Sequence, residues 1–210
     1  MEALDYVIES YDIYKQKLLE AFILGIAMYF LGLISLIPVV GWYLYAKLFP
    51  KIVVWYYNKL NIKVDPKYDV AFKSIIIPLS IAMTGVLIMI VGLYFFVINS
   101  IEFIEISIIV GIILGIVGFI LYILLFYTLF GSIIGKVDKF KIYAKKSTYL
   151  LLISLIPTFI IFIFFYIIDL FIPLTDPILR LILEILEILL AIFYQPYLFV
   201  LYAVAIQNMQ

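Results

Sequence analysis

The sequence predicts an all-α, polytopic integral membrane protein, a helical bundle of six transmembrane helices. Its 210 residues are 68% hydrophobic and only 13% charged, with a mean hydropathy of +1.27. A soluble domain is closer to half apolar and a quarter charged. Long apolar runs also alternate with short polar patches, and eleven of the fourteen basic residues fall in three of these patches. Composition and patterning together therefore indicate a chain buried in a bilayer.

The three basic patches also predict the orientation of the chain. They are Lys15 and Lys17; Lys59, Lys63, Lys67 and Lys73; and Lys136, Lys139, Lys141, Lys145 and Lys146. The opposite connections have no Lys and one Arg, Arg180, with the acids Glu102, Glu105, Asp169 and Asp176. Because short cytoplasmic loops collect Lys and Arg, the basic patches should face the cytoplasm. We therefore expect a multi-pass protein of a prokaryotic cell membrane with both termini in the cytoplasm.

Six apolar segments are candidates for the spans, each of which needs about 20 residues. They cover approximately residues 19–38, 42–57, 74–98, 106–134, 148–170 and 177–206. Taken in pairs they form three helical hairpins within a single transmembrane domain, residues 1–210. Residues 58–67 and 136–147 should then be cytoplasmic loops.

Residues 1–17 precede the first span. Leu4, Val7, Ile8, Tyr11 and Tyr14 recur there at three- and four-residue spacing, the pattern of an amphipathic helix. The segment is either a cytoplasmic lead-in that lies on the membrane surface or a plain helical extension of the first span.

Lys47 and Lys51 interrupt the second segment. Their spacing of four places both amines on one helix face, together with Tyr43. At the bilayer centre two lysines cost about 5 to 7 kcal/mol. The eight Leu, Ile, Phe and Val residues of 39–54 return only about 2.4 to 4.8 kcal/mol. We expect that this segment does not insert well alone.

Two interpretations of these lysines remain open. In the first, both amines face a polar cavity and bind an anionic lipid head group or a small anionic solute. In the second, the segment is tilted or partly interfacial, and both lysines extend to the lipid head groups.

A second charged group, the outer acidic rim, is Asp176, Arg180, Glu184 and Glu187. Steps of four, four and three residues put them on one face at the start of the sixth segment. They form either a self-paired rim at the membrane surface or a vestibule for a cation.

Glycines four residues apart predict close helix packing or a dimer face on the fourth segment and just after it. They are Gly111 with Gly115, and Gly131 with Gly135.

Catalysis and soft-metal binding find no support in the sequence. The chain has no Cys and no His, which removes thiolate chemistry, imidazole bases and nearly all soft-metal sites. Neither a P-loop nor another catalytic motif is present. The basic residues are too dispersed for a nucleic-acid-binding face. We therefore predict no enzyme activity, cofactor, metal or nucleic-acid partner.

One stretch resembles a known family. Ile34 to Gly41, with the order Ile-Ser-Leu-Ile-Pro-Val-Val-Gly, is followed by a segment that contains Tyr and Lys. A polar linker and Val64-Asp65-Pro66-Lys67-Tyr68-Asp69 come next. Over about residues 30–90 this order is similar to the prokaryotic membrane family called domain of unknown function 4013. The linker here is poorer in acids and Trp than that family's pattern. The resemblance implies a multi-span fold and no catalytic residues.

Two function hypotheses follow. In the first, the protein has a transport-like or lipid- and anion-binding role centred on Lys47 and Lys51. In the second, it is an assembly protein, a scaffold or chaperone that acts on lipid or on partner helices through its basic loops and glycine-lined faces. A homo-oligomer is compatible with both.

Overall fold

In the computed structural model, which describes residues 3–96, 101–171 and 177–209, the chain folds into seven α-helices. No strand occurs within those ranges. The helices are α1 (Ala3–Tyr14), α2 (Leu18–Ser35), α3 (Val40–Lys59), α4 (Tyr68–Phe96), α5 (Ile101–Ile134), α6 (Ala144–Phe171) and α7 (Pro177–Asn208). The all-α prediction is confirmed, and helices α2 to α7 follow the six predicted apolar segments.

Five helical segments of the described ranges are long and apolar enough to cross a membrane. They are Ala3–Ser35, Tyr68–Tyr94, Glu105–Ile134, Ala144–Phe164 and Leu179–Asn208. The first of them joins α1 to α2 through a single 3-10 turn, Lys15–Lys17. Helix α3 is not among the five, which agrees with the cost that Lys47 and Lys51 impose on its insertion. The chain thus has the helices of an integral membrane protein. Helix α3 is the least apolar of the six predicted segments.

Helices α2 and α3 form an antiparallel hairpin around a tight turn. The Val40 amide donates to the Pro38 carbonyl at 2.7 Å, and Val39 between them has a φ of 62°. This is a γ-turn, which is rare because its central residue is strained. The amides of Leu36 and Ile37 donate to carbonyls at the end of α2, and the Gly41 amide donates to the Ile37 carbonyl. These internal bonds reduce the number of polar backbone groups that the turn would expose to lipid.

The basic loops meet at one end of the bundle. The Asp65 amide donates to the Ile134 carbonyl at 3.1 Å, and the Lys67 amide donates to the Ser132 carbonyl at 2.8 Å. The Gln207 side chain donates to the Lys63 carbonyl at 3.3 Å. The ends of α3, α5 and α7 and the start of α4 therefore gather at one place, which we call the lysine end.

The hydrophobic core lies mostly toward the lysine end. Fully buried large side chains from α3, α5, α6 and α7 pack there: Val53, Tyr56, Tyr57, Leu129, Phe130, Ile133, Leu150, Leu201 and Ile206. Away from this end the apolar side chains point outward, including Ile90, Leu93, Ile109, Ile113, Phe119, Phe159 and Phe162. Such a continuous exposed apolar surface marks contact with a membrane.

The 3-10 turn divides α1 from α2, and α1 packs on α7. The Tyr14 hydroxyl donates to the Phe193 carbonyl at 2.9 Å, and the Tyr197 hydroxyl donates to the Val7 carbonyl at 3.3 Å. The buried face of α1 is Tyr6, Ser10 and Tyr14. Most of the predicted apolar stripe is instead exposed, including Leu4, Ile8 and Tyr11. The hydroxyls of Ser10 and Tyr14 bond to main-chain carbonyls, so these polar side chains can pack where apolar residues were expected.

Candidate functional site

The candidate site lies on the outer face of α3, at its junction with the start of α4. Tyr43, Lys47 and Lys51 are one helical turn apart and all three are exposed. The Lys47 ammonium nitrogen lies 5.4 Å from the centre of the Tyr43 ring. That distance is within the range of a cation–π contact, which keeps the ammonium on this face of the helix.

Three residues from α4 complete the site. Tyr68, Asp69 and Phe72 line a pocket of about 300 Å³ together with Lys47, Lys51 and their α3 neighbours Tyr43, Ala46 and Pro50. The rings of Tyr43 and Phe72 meet edge to face, with centres 5.6 Å apart. We call this space the cationic pocket.

A proline removes one helical hydrogen bond of α3 beside the pocket. Pro50 lies inside the helix and has no N–H to donate to the Ala46 carbonyl. Both residues line the cationic pocket. Helix α3 continues through Pro50, so the Ala46 carbonyl lacks its usual donor at a point between the two lysines.

The pocket carries unneutralised positive charge. Among the described residues, neither Lys47 nor Lys51 has a carboxylate within the 4.0 Å of an ion pair, whereas Lys15 and Lys17 each have one and Lys67 has two. Asp69 is the acidic residue of the pocket lining, and it is exposed. Two lysines with free ammonium groups and aromatic walls can hold an oxyanion, because each ammonium offers three donors on a flexible stem.

The described residues of the outer acidic rim lie near the start of α7, at the opposite end of that helix from the lysine end. Arg180 Nε is 3.4 Å from Glu184 Oε1, an exposed pair one helical turn apart. Glu187 is exposed, and Asp176 falls outside the residues that the structure describes. No group of three or more acids in the described ranges is arranged to hold a metal ion.

The four glycines singled out from the sequence have different surroundings. Gly111 packs against Met89 and the Gly85 carbonyl of α4, and Gly131 packs against Val137. Gly135 has a φ of +93° and lies against Asp65 in the linker. Gly115 has open space where a side chain would stand. Three of the four thus pack within the chain, in contacts that a side chain would disturb.

Sequence reasoning placed Tyr43, Lys47 and Lys51 on one face of a helix, and the structure has them there. It missed Tyr68, Asp69 and Phe72, because no spacing rule connects residues on two different helices. One signal was available: Tyr68 and Asp69 open α4 directly after the polar linker that follows α3, so both carry polar atoms at the start of the next helix.

Comparison of the chain with protein-family models, with curated proteins and with solved structures gives no match. The resemblance over residues 30–90 therefore stays a prediction.

Proposed function

We propose that this chain is a non-catalytic integral membrane protein that binds an anion at Lys47 and Lys51, in a transport-like or lipid-binding role. The observation that carries the proposal is that two ammonium groups without an ion-pair partner among the described residues line one pocket. A charged residue that a membrane protein keeps in or near its apolar region is a functional candidate by default. The aromatic rings of Tyr43, Tyr68 and Phe72 give the pocket walls that exclude part of the water around a bound anion.

The experiment compares two double substitutions. Lys47→Leu with Lys51→Leu removes both charges of the pocket, and Lys59→Leu with Lys63→Leu removes two exposed lysines that do not line it. Phosphorus NMR of glycerol phosphate titrated with the purified protein measures the affinity. At about 1 kcal/mol per lysine the first variant should lose about 2 kcal/mol, or about thirtyfold in affinity. Equal affinities of both variants and the unmodified protein would remove the proposal, provided that all three insert.

We also propose that the chain crosses the membrane six times, with the lysine end and both termini in the cytoplasm of a prokaryotic cell. The six helices α2 to α7, which follow the six predicted apolar segments, support the count of six crossings. Lysine enrichment at that end supports the orientation.

The absence of cysteine makes this topology directly testable by single-cysteine labelling. An impermeant maleimide should modify Glu105→Cys in intact cells and Lys141→Cys only in inverted vesicles. Leu36→Cys, in the turn before α3, should react from outside if α3 completes a crossing. Modification of Lys141→Cys in intact cells would reverse the orientation.

The assembly hypothesis receives less support from the packing. Of the glycines proposed as a dimer face, Gly111, Gly131 and Gly135 face residues of the same chain. They are therefore committed to the fold, and Gly115 lines a cleft that α2, α3 and α4 of the same chain also line.

A further inference from the structure

The stripe that carries the two lysines is longer than the cationic pocket. Tyr43, Lys47, Lys51 and Trp55 follow one another at intervals of four residues, and all four side chains are exposed. Four residues exceed a helical turn by about 40°, so the stripe rotates about 120° around α3 over its length. It therefore begins beside α4, where Tyr43 meets Phe72, and ends beside α2.

A second depression lies at that end of the stripe. Ile23 and Ala27 of α2 and Ile52 and Trp55 of α3 line a groove of about 300 Å³, and Lys51 lines it too. We call it the α2–α3 groove. Apart from the Lys51 ammonium its lining side chains are apolar or aromatic. Lys51 thus lines both the charged pocket and the otherwise apolar groove.

This arrangement distinguishes two kinds of anion. A soluble anion uses the cationic pocket alone and gains nothing from an apolar groove beside it. A phospholipid joins a negatively charged phosphate to an acyl chain, and the two parts need adjoining polar and apolar surfaces. Lys51 lines both surfaces.

We infer that the ligand is an anionic membrane phospholipid, whose phosphate lies between Lys47 and Lys51 and one of whose acyl chains lies in the α2–α3 groove. The inference rests on the proposed function and names the ligand class of the same site. The charge of the two lysines selects an anionic over a zwitterionic head group, since they have no ion-pair partner among the described residues. The groove adds the chain contact that holds the lipid there longer than lipids elsewhere on the apolar surface.

Trp55 supplies the measurement, because the chain has only two tryptophans and Trp42 is buried. The Trp42→Phe variant, with Trp55 as its single tryptophan, is placed in nanodiscs of phosphatidylcholine. A small fraction of phosphatidylglycerol with brominated acyl chains, which quench nearby indole fluorescence, is then added. The same fraction of brominated phosphatidylcholine is the reference.

Brominated phosphatidylglycerol should quench Trp55 several-fold more than brominated phosphatidylcholine. The difference should disappear when Lys47→Gln and Lys51→Gln are added. The Trp55→Phe variant, which keeps only Trp42, should show equal quenching by the two lipids. Equal quenching of Trp55 by both lipids overturns the inference, and so does a Trp55 that neither lipid reaches, since a protein partner would then cover the groove.

A third variant separates this inference from the proposed function. Ala27→Phe fills the α2–α3 groove and leaves the lysines in place, so it should abolish the preference for phosphatidylglycerol without changing the affinity for glycerol phosphate. If glycerol phosphate binds through Lys47 and Lys51 but Trp55 shows no preference for the anionic lipid, the lipid inference falls and the proposed function stands. If the lysine substitutions change neither measurement, both fall.

Discussion

Gly25 of α2 lies directly against the main-chain carbonyl of Ile192 in α7, so closely that a β-carbon at position 25 would overlap the oxygen. That carbonyl has no donor of its own within α7, because the residue four positions on is Pro196. The glycine lets α2 approach the freed carbonyl. The pair accounts for a close contact between helices that are not neighbours in sequence.

Gly25→Ala should therefore destabilise the protein. The added methyl has no space, and overpacking of this kind costs about 1–3 kcal/mol. Gly32→Ala on the same helix is the matched control, since a β-carbon at position 32 would meet open space. It should be neutral or should stabilise α2 by about 0.5–1 kcal/mol. Melting temperatures in detergent measure both, and a Gly25→Ala protein as stable as the Gly32→Ala protein would show that α2 and α7 do not make this contact.

Tyr56 and Tyr57 are adjacent and fully buried, and they differ in whether the hydroxyl makes a hydrogen bond. The Tyr57 hydroxyl donates to the Phe199 carbonyl at 2.7 Å. The Tyr56 hydroxyl has no hydrogen-bond partner among the described residues. Tyr57→Phe should lower the free energy of unfolding by about 0.5–1.5 kcal/mol, the net contribution of a buried hydrogen bond. Tyr56→Phe should be neutral or stabilising, because it removes a buried polar atom that makes no bond.

The comparison of Tyr56→Phe with Tyr57→Phe needs no other control, because the same atom is removed from the same helix. Chemical unfolding in mixed micelles gives the two free energies. Equal destabilisation by both changes would mean that the Tyr56 hydroxyl has a partner, such as a bound water.

The positions of the helices were predictable because the hydropathy of each segment determines them. An apolar run of about 20 residues can only be a helix where lipid replaces water, since the backbone must bond to itself. The predicted fourth segment ends at Ile134, where α5 ends. The predicted sixth segment begins at Pro177, where α7 begins, and the remaining limits moved by a few residues because polar residues such as Tyr68 and Asp69 continue a helix beyond its apolar part.

The tertiary contacts were much less predictable. Leu, Ile and Phe at different positions are chemically equivalent, so nothing in the sequence pairs α1 with α7 or Gly25 with Ile192. Within the candidate site, helical spacing was enough to group Tyr43, Lys47 and Lys51. The same spacing extends to Trp55, but only the α2–α3 groove shows why that tryptophan matters.

The end of α5 depends on a single residue. Gly135 has a φ of +93°, and a β-carbon there would be 2.7 Å from the Asp65 carbonyl oxygen of the linker. In Gly135→Ala the strained backbone alone costs about 1–2 kcal/mol. The change also pushes the linker away, so we expect a lower melting temperature and faster proteolysis of residues 60–67. Gly115→Ala, where space is open, should show neither effect, and an unchanged Gly135→Ala would mean that the linker does not dock on α5.

The negative charge of Asp69 should repel the anion that the cationic pocket is proposed to bind. Its carboxylate lines the pocket beside Lys47 and Lys51 without forming an ion pair with either. Asp69→Asn keeps the shape and removes the repulsion of an anion. An exposed charge of this kind contributes about 0.2–1 kcal/mol, so the affinity for glycerol phosphate should rise by up to about fivefold.

Asp138→Asn is the control for that gain, because Asp138 is an exposed acid outside the pocket. It should leave the affinity unchanged. The gain from Asp69→Asn should also shrink as salt is added, since the charges are solvent-exposed and screened. A lower affinity of Asp69→Asn in the phosphorus NMR titration would mean that Asp69 positions the lysines instead of competing for them.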